Sequence, residues 1–326
     1  MNPLPRRALL SLPLLALLPA AAYTPKNLAM VMNSGEASVS IIDMDAKQVI
    51  ATVPTLREPS HWALSPDRSK LYIADASGNA LFILDPLTAA PLGHLRIADP
   101  YQLGYTPDQK YLAVNALRIN HVDFYDAQTF KLVKRFSPGS MPSHLDFSPD
   151  SRWSFHTCQG SNSLVSYDLT TMTPRFNIKI GDTPAGILWH QDKVLVALMG
   201  ANGIIQLDPQ TGTILRHIPT GEGAHNLFLT TDKSTIYVSN RLGGSLTALD
   251  ATTLETRHTY PLPGGPDDIG IDPSGNLWIA LRFAESVAIL NPTTGDYTTI
   301  PVGRSPHGIF LNTELQSPGK LTAEVL

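Results

Sequence analysis

Apolar residues in this chain come in short runs broken by polar turns, and no helical spacing is evident beyond the first two dozen residues. One stretch shows the unit. His61–Leu64 is apolar and breaks at Ser65-Pro66-Asp67. A second run, Lys70–Ala74, ends in the polar segment Asp75–Asn79 around Gly78. A third, Ala80–Leu84, stops at Asp85-Pro86, and a fourth follows over Pro91–Ile97. Proline, aspartate, asparagine and glycine supply the dihedrals that tight turns require, so the unit predicts four short strands.

The unit recurs. An apolar residue followed by Asp or Asn is found at Ile42-Asp43, Leu84-Asp85, Tyr125-Asp126, Tyr167-Asp168, Leu207-Asp208, Leu249-Asp250 and Leu290-Asn291, at spacings of 40 to 42. A strand entry recurs at Pro59, Pro100, Pro142, Pro184, Ala224, Pro266 and Pro306, again 40 to 42 apart. Two independent series of seven at one period predict an all-β, seven-bladed propeller of four-stranded blades. Residues 27–54 carry only second to fourth strands and residues 307–311 only a first strand, so the two ends are expected to share one blade. That closure removes the unpaired sheet edge that invites aggregation.

The segments SPDRSKLYIADASGNALFILDPLT, SPDSRWSFHTCQGSNSLVSYDLTT and TTDKSTIYVSNRLGGSLTALDATT resemble the YVTN-type propeller repeat over essentially the whole chain after its first residues. That group includes archaeal surface-layer proteins, periplasmic propellers and the haem-d1-binding propeller of cytochrome cd1 nitrite reductase. The sixth blade, PDDIGIDPSGNLWIALRFAESVAILNPTTG, is more similar to the repeats of streptogramin-lyase and lactonase propellers. The resemblance implies the fold; the activities within the group differ too widely for it to imply one.

Composition narrows the partners. The chain carries 24 basic and 28 acidic residues with no basic stripe, which gives no support to a general nucleic-acid footprint. Residues 1–22 differ from the rest: Arg6 and Arg7, an apolar stretch too short to span a bilayer, then Ala20, Ala21 and Ala22. This pattern predicts a signal peptide cleaved after Ala22, a periplasmic or secreted protein, a propeller over residues 23–314 and a tail over 315–326. The paired arginines leave the export route open. Cys158 is the only cysteine, so no internal disulfide can form; it is expected to be a half-buried packing residue.

In this architecture the first strand of each blade lines the central channel, and the loop before it opens on the same face as the loop between the second and third strands. His61, His144, His225 and His307 stand at first-strand entries of blades 1, 3, 5 and 7, with Asp267 and Asp268 in blade 6. Tyr101 occupies an equivalent place in blade 2. The second–third loops add Asn33, Asp75, Asn115, Arg118, His156, Asn240, Arg241 and Arg282. Imidazoles ligate transition metals or haem iron and act as general bases, and arginines pair with carboxylates. Strict alternation along a strand, however, would turn His61 and His144 away from His225 and His307, which stand one position earlier.

Three functions remain open at this point. The first is a binding or scaffold propeller that presents the His/Arg/Asp mouth to a small ligand or protein. The second is a divalent-metal or tetrapyrrole site built on the four histidines and the arginines. The third is a lyase or lactonase using His225 or His307 as base beside Asp267 or Asp268. No C-x-x-C-H motif occurs, which excludes covalent c-type haem, and no G-x-S-x-G, H-E-x-x-H or phosphate loop is present. The Asp ending each third strand is expected to be a turn cap, and Trp62, Trp153, Trp189 and Trp278 to pack between blades.

Overall fold

The computed structural model describes residues 26–316, so the expected signal peptide and most of the expected tail lie outside the described residues. Within them, seven four-stranded antiparallel sheets make the predicted seven-bladed propeller. Blade 7 joins the last strand, Pro306–Leu311, to Leu28–Asn33, Ser38–Asp43 and Gln48–Pro54, so the two ends of the described chain close the ring as the repeats foretold. Among the described residues, no helix is long and apolar enough to cross a membrane.

Burial follows blade order. First to third strands are almost wholly buried, which explains why they read as continuous apolar runs; outer strands such as Gln48–Pro54 and Pro91–Arg96 face solvent. Seven hydrophobic clusters fill the gaps between blades. In one, Trp62, Leu64, Ile73 and Phe82 of blade 1 pack on Met30, Met32, Ile41 and Phe310 of blade 7. The Trp62 indole also donates to the Ile309 carbonyl at 3.0 Å. Trp278 lies in the cluster between blades 6 and 7, and Trp153 and Trp189 in that between blades 3 and 4. Cys158 is wholly buried rather than half-buried, and burial pushes its thiol up to about 11, which makes it an inert packing residue.

The turns bear out the capping role of the repeated acid. Asp43, Asp85, Asp126, Asp168, Asp208, Asp250 and Asn291 each accept hydrogen bonds from the backbone N–H groups two and three residues on. On the opposite face, each blade ties its entry loop to its second–third turn. Backbone examples are Arg241 N–H to Gly223 O at 2.9 Å and Arg282 N–H to Gly265 O at 2.8 Å.

All seven first strands begin with a register shift. Pro59 pairs with Asp75 and Trp62 with Ile73, so Ser60 and His61 together oppose one residue. The same bulge separates Pro142 from Leu145, Ala224 from Asn226, Pro266 from Ile269 and Pro306 from Ile309. Bulges re-aim side chains, and here they bring both consecutive entry positions to the channel. Two glycines let adjacent first strands meet there: a Cβ on Gly308 would lie 2.3 Å from Ser60 O, and one on Gly186 2.6 Å from Asn226 Cα.

Candidate functional site

The bulges decide the site. Strict alternation would separate His61 and His144 from His225 and His307; instead the four imidazoles form a closed circle at the channel mouth. Ring centroids lie 5.2 Å apart for His61–His144, 5.2 Å for His144–His225, 6.2 Å for His225–His307 and 4.4 Å for His307–His61. All four side chains are buried. Tyr101 completes the wall with its ring 4.7 Å from His61, and burial pushes its hydroxyl up to about 12. Tyr101 was visible in the aligned entry positions but carried no chemistry that singled it out.

Beside the circle lies a carboxylate knot. Asp267 Oδ1 is 2.6 Å from Arg241 Nη2 and 2.8 Å from His225 Nδ1, the latter out of line for a hydrogen bond. Its Oδ2 is 3.3 Å from Arg282 Nη1 and 3.8 Å from His307 Nε2. Burial is the largest single influence and would raise this carboxyl, but Arg241, His225 and His307 together outweigh it and hold Asp267 ionised, well below the usual carboxylate range. Arg241 Nη2 also donates to His225 Nε2 at 2.6 Å.

The histidines are neutral. Burial holds His61 down at about 3 and His225 at about 4, and depresses His144 and His307 well below the ordinary imidazole value. His61 Nδ1 lies 3.1 Å from the Tyr101 carbonyl; a carbonyl only accepts, so Nδ1 carries the proton and Nε2 keeps its lone pair. The Nε2 atoms of His61, His144 and His307 are buried without a hydrogen-bond partner. A buried polar atom left unpaired costs about 1–3 kcal/mol, and three such atoms within one ring of imidazoles call for an explanation.

His225, Asp267 and His307 each offer one ligand atom, all within 4.8 Å of one another. Two nitrogens on a metal at ~2.1 Å lie at most ~4.2 Å apart, and ~3.4 Å apart in a tetrahedral site, so the widest pair needs to close by between ~0.6 and ~1.4 Å to hold a transition metal.

Other sequence candidates fall elsewhere. Arg118 is a rim residue, paired with Glu58 and with Asp99 at 3.0 Å. Asp268 accepts from Asn226 Nδ2 at 3.1 Å, beside the knot. Asp75 caps the entry loop through the N–H groups of Leu56, Arg57 and Glu58. Asn33 and Asn240 bond to serines on their own blades, and His156 bonds to Asn115 and Ser154.

Among curated proteins, no sequence matches. Among solved structures, the periplasmic gluconolactonase PpgL of Pseudomonas aeruginosa is 16% identical with a TM-score of 0.72, over 87% of this chain and 98% of that one. Dihydro-heme d1 dehydrogenase NirN, in complex with DHE, is 17% identical with a TM-score of 0.66, over 93% and 79%. A functionally unknown protein from Desulfotomaculum acetoxidans is 14% identical with a TM-score of 0.74, over 87% and 98%. At these identities the likeness is one of fold. The model of one family, described as YNCE-like beta-propeller, matches residues 7–315, and to that family the chain belongs.

Proposed function

We propose that this chain is an exported small-ligand-binding propeller whose binding centre is a divalent transition metal held by His225, Asp267 and His307. The observation that carries the proposal is the approach of two buried imidazole nitrogens, His225 Nδ1 and His307 Nε2, neither with a hydrogen-bond partner, to one ionised carboxylate. Neutral imidazoles and a carboxylate suit zinc, iron or nickel, and a set of two histidines and one carboxylate leaves coordination positions open. His61 and His144 fall outside this ligand set and serve as neighbouring wall of the site. Arg241 is the competitor: its guanidinium occupies the cation's place against both His225 and Asp267, so metal binding requires it to release His225.

A flat macrocycle cannot enter between rings 4.4–6.2 Å apart; a tetrapyrrole of the kind borne by NirN would have to lie outside the imidazoles, on the mouth. The 2.8 Å approach of His225 to Asp267 favours a second, acid–base reading, in which the pair activates water on a bound ester, as the likeness to a gluconolactonase would suit.

Elemental analysis of protein from its native host, followed by titration of chelator-stripped protein with zinc, nickel, copper and ferrous ions, tests the proposal. One equivalent per chain is expected, lost in His307→Ala and Asp267→Asn. Wild-type protein that takes up none of the four metals sinks it, and metal-independent lactone hydrolysis would favour the acid–base alternative.

A further inference from the structure

The exposed lip of the site has its own chemistry. Arg241 is followed by Leu242 and Arg282 by Phe283, at equivalent turns of neighbouring blades. Leu242 is 57% exposed and Phe283 61%, the latter as exposed as any large apolar residue described. Scattered exposed apolar residues need no explanation, but these two are placed in register. Their turns are tied down by Arg241 N–H to Gly223 O and Phe283 N–H to Gly264 O, at 2.9 and 2.8 Å. Leu242 lies across Gly223 and Phe283 across Gly265, where a Cβ would come within 2.5 Å of either side chain. Gly223 stands two residues before His225, and Gly265 two before Asp267. Each apolar side chain therefore sits directly outside a strand that begins the buried site.

Beneath this lip the cation is only partly spent. Arg282 reaches Asp267 through Nη1 at 3.3 Å, and its side chain is 25% exposed. A guanidinium recognises a carboxylate through two parallel N–H groups. In blade 2 the corresponding residues are Leu117 and Arg118, so a charged side chain stands where Leu242 and Phe283 stand, and it is taken up by Glu58 and Asp99. Charge complementarity thus places an anion against blades 5 and 6, with an apolar surface outside it.

We infer that the ligand of this site is a small organic acid with an apolar body, its carboxylate directed to Arg282 and its hydrocarbon part covered by Phe283 and Leu242. This rests on the metal-centre proposal. Metal-loaded protein is titrated calorimetrically with acetate, hexanoate and uncharged hexan-1-ol, and the metal content of every sample is measured.

Hexanoate is expected to bind at least about tenfold more tightly than acetate, since each buried methylene is worth roughly fourfold. Hexan-1-ol is expected to bind more weakly than hexanoate. Phe283→Ser and Leu242→Ser should retain metal yet lose the gain of hexanoate over acetate; Arg282→Gln should weaken both acids. Equal affinity for acetate and hexanoate, equal affinity for hexanoate and hexan-1-ol, or an unchanged hexanoate gain in Phe283→Ser overturns the inference while leaving a metal-loading protein intact. A wild type that loads no metal overturns the functional proposal instead.

Discussion

Arg241 Nη2 lies 2.6 Å from both Asp267 Oδ1 and His225 Nε2, so one guanidinium nitrogen serves a carboxylate and an imidazole together. A fixed positive charge at that spot opposes any metal ion, and near a protein surface two charges ~4 Å apart interact by up to about 4 kcal/mol. Arg241→Met is expected to raise zinc or nickel affinity at least tenfold at pH 7. The same change should lower the urea midpoint of metal-free protein, because Asp267 loses its main counter-charge. Weaker metal binding in Arg241→Met would make the arginine a support of the centre rather than its competitor.

The neutral histidines predict an acid-sensitive fold. His61 is held at about 3 and His225 at about 4, whereas an unfolded chain takes up protons near 6.5. Their contribution is complete above about pH 6.5 and is lost as the pH falls toward the folded values, by at most about 1.4 kcal/mol per pH unit for each histidine. Asp146, whose carboxyl burial raises well above 3.8, tilts stability the other way, so the comparison is best made against a single variant. Urea midpoints at pH 7, 5 and 4 are expected to show a shallower decline for His61→Gln than for wild type. Parallel profiles would mean that His61 is not held neutral by the fold.

Close packing at the channel is tested at Gly308, where a Cβ would meet Ser60 O at 2.3 Å. Both atoms belong to first strands, so relief requires blades 7 and 1 to move apart. Gly308→Ala should cost about 2 kcal/mol in chemical denaturation and weaken metal binding through displacement of the neighbouring His307. An alanine variant as stable as wild type would show that these strands tolerate separation.

Asn312 fastens the closing blade. Its Oδ1 accepts from Leu28 N–H at 2.8 Å, and its Nδ2 donates to the carbonyls of Lys26 and Leu87 at 3.0 and 3.3 Å. Asn312→Ala is expected to destabilise by about 2 kcal/mol, since it leaves a buried strand N–H unpaired. Hydrogen exchange should show the loss first at Leu28–Asn33; protection spread evenly over all seven blades would argue against a local latch.

The architecture was legible because a propeller repeats its error-checking: seven Asp or Asn turn caps and seven strand entries at one period leave little freedom in blade count or closure. The site was legible as a set of residues but not as a geometry. Alternation along a strand would have parted His61 and His144 from His225 and His307, and only the bulge after each entry residue unites them. A bulge is a property of pairing between two strands, so one strand's sequence does not display it. Arg118 shows the converse: it stands in the same kind of loop as Arg241 and Arg282 but one position later, and acids from two entry loops, Glu58 and Asp99, hold it at the rim. Tyr101 went unselected because its part is to position an imidazole through a backbone carbonyl.

The shared blade also imposes an order in time. Among the described strands Leu28–Asn33 is the first made, and its partner Pro306–Leu311 is the last. At 5–20 residues per second of synthesis, one edge of a buried, apolar strand waits roughly 15–55 seconds for the segment that covers it. His307 arrives on that same final strand, so the fourth imidazole reaches the circle only when the ring shuts. A nascent chain therefore cannot assemble the full binding centre early and trap a ligand in a half-made protein.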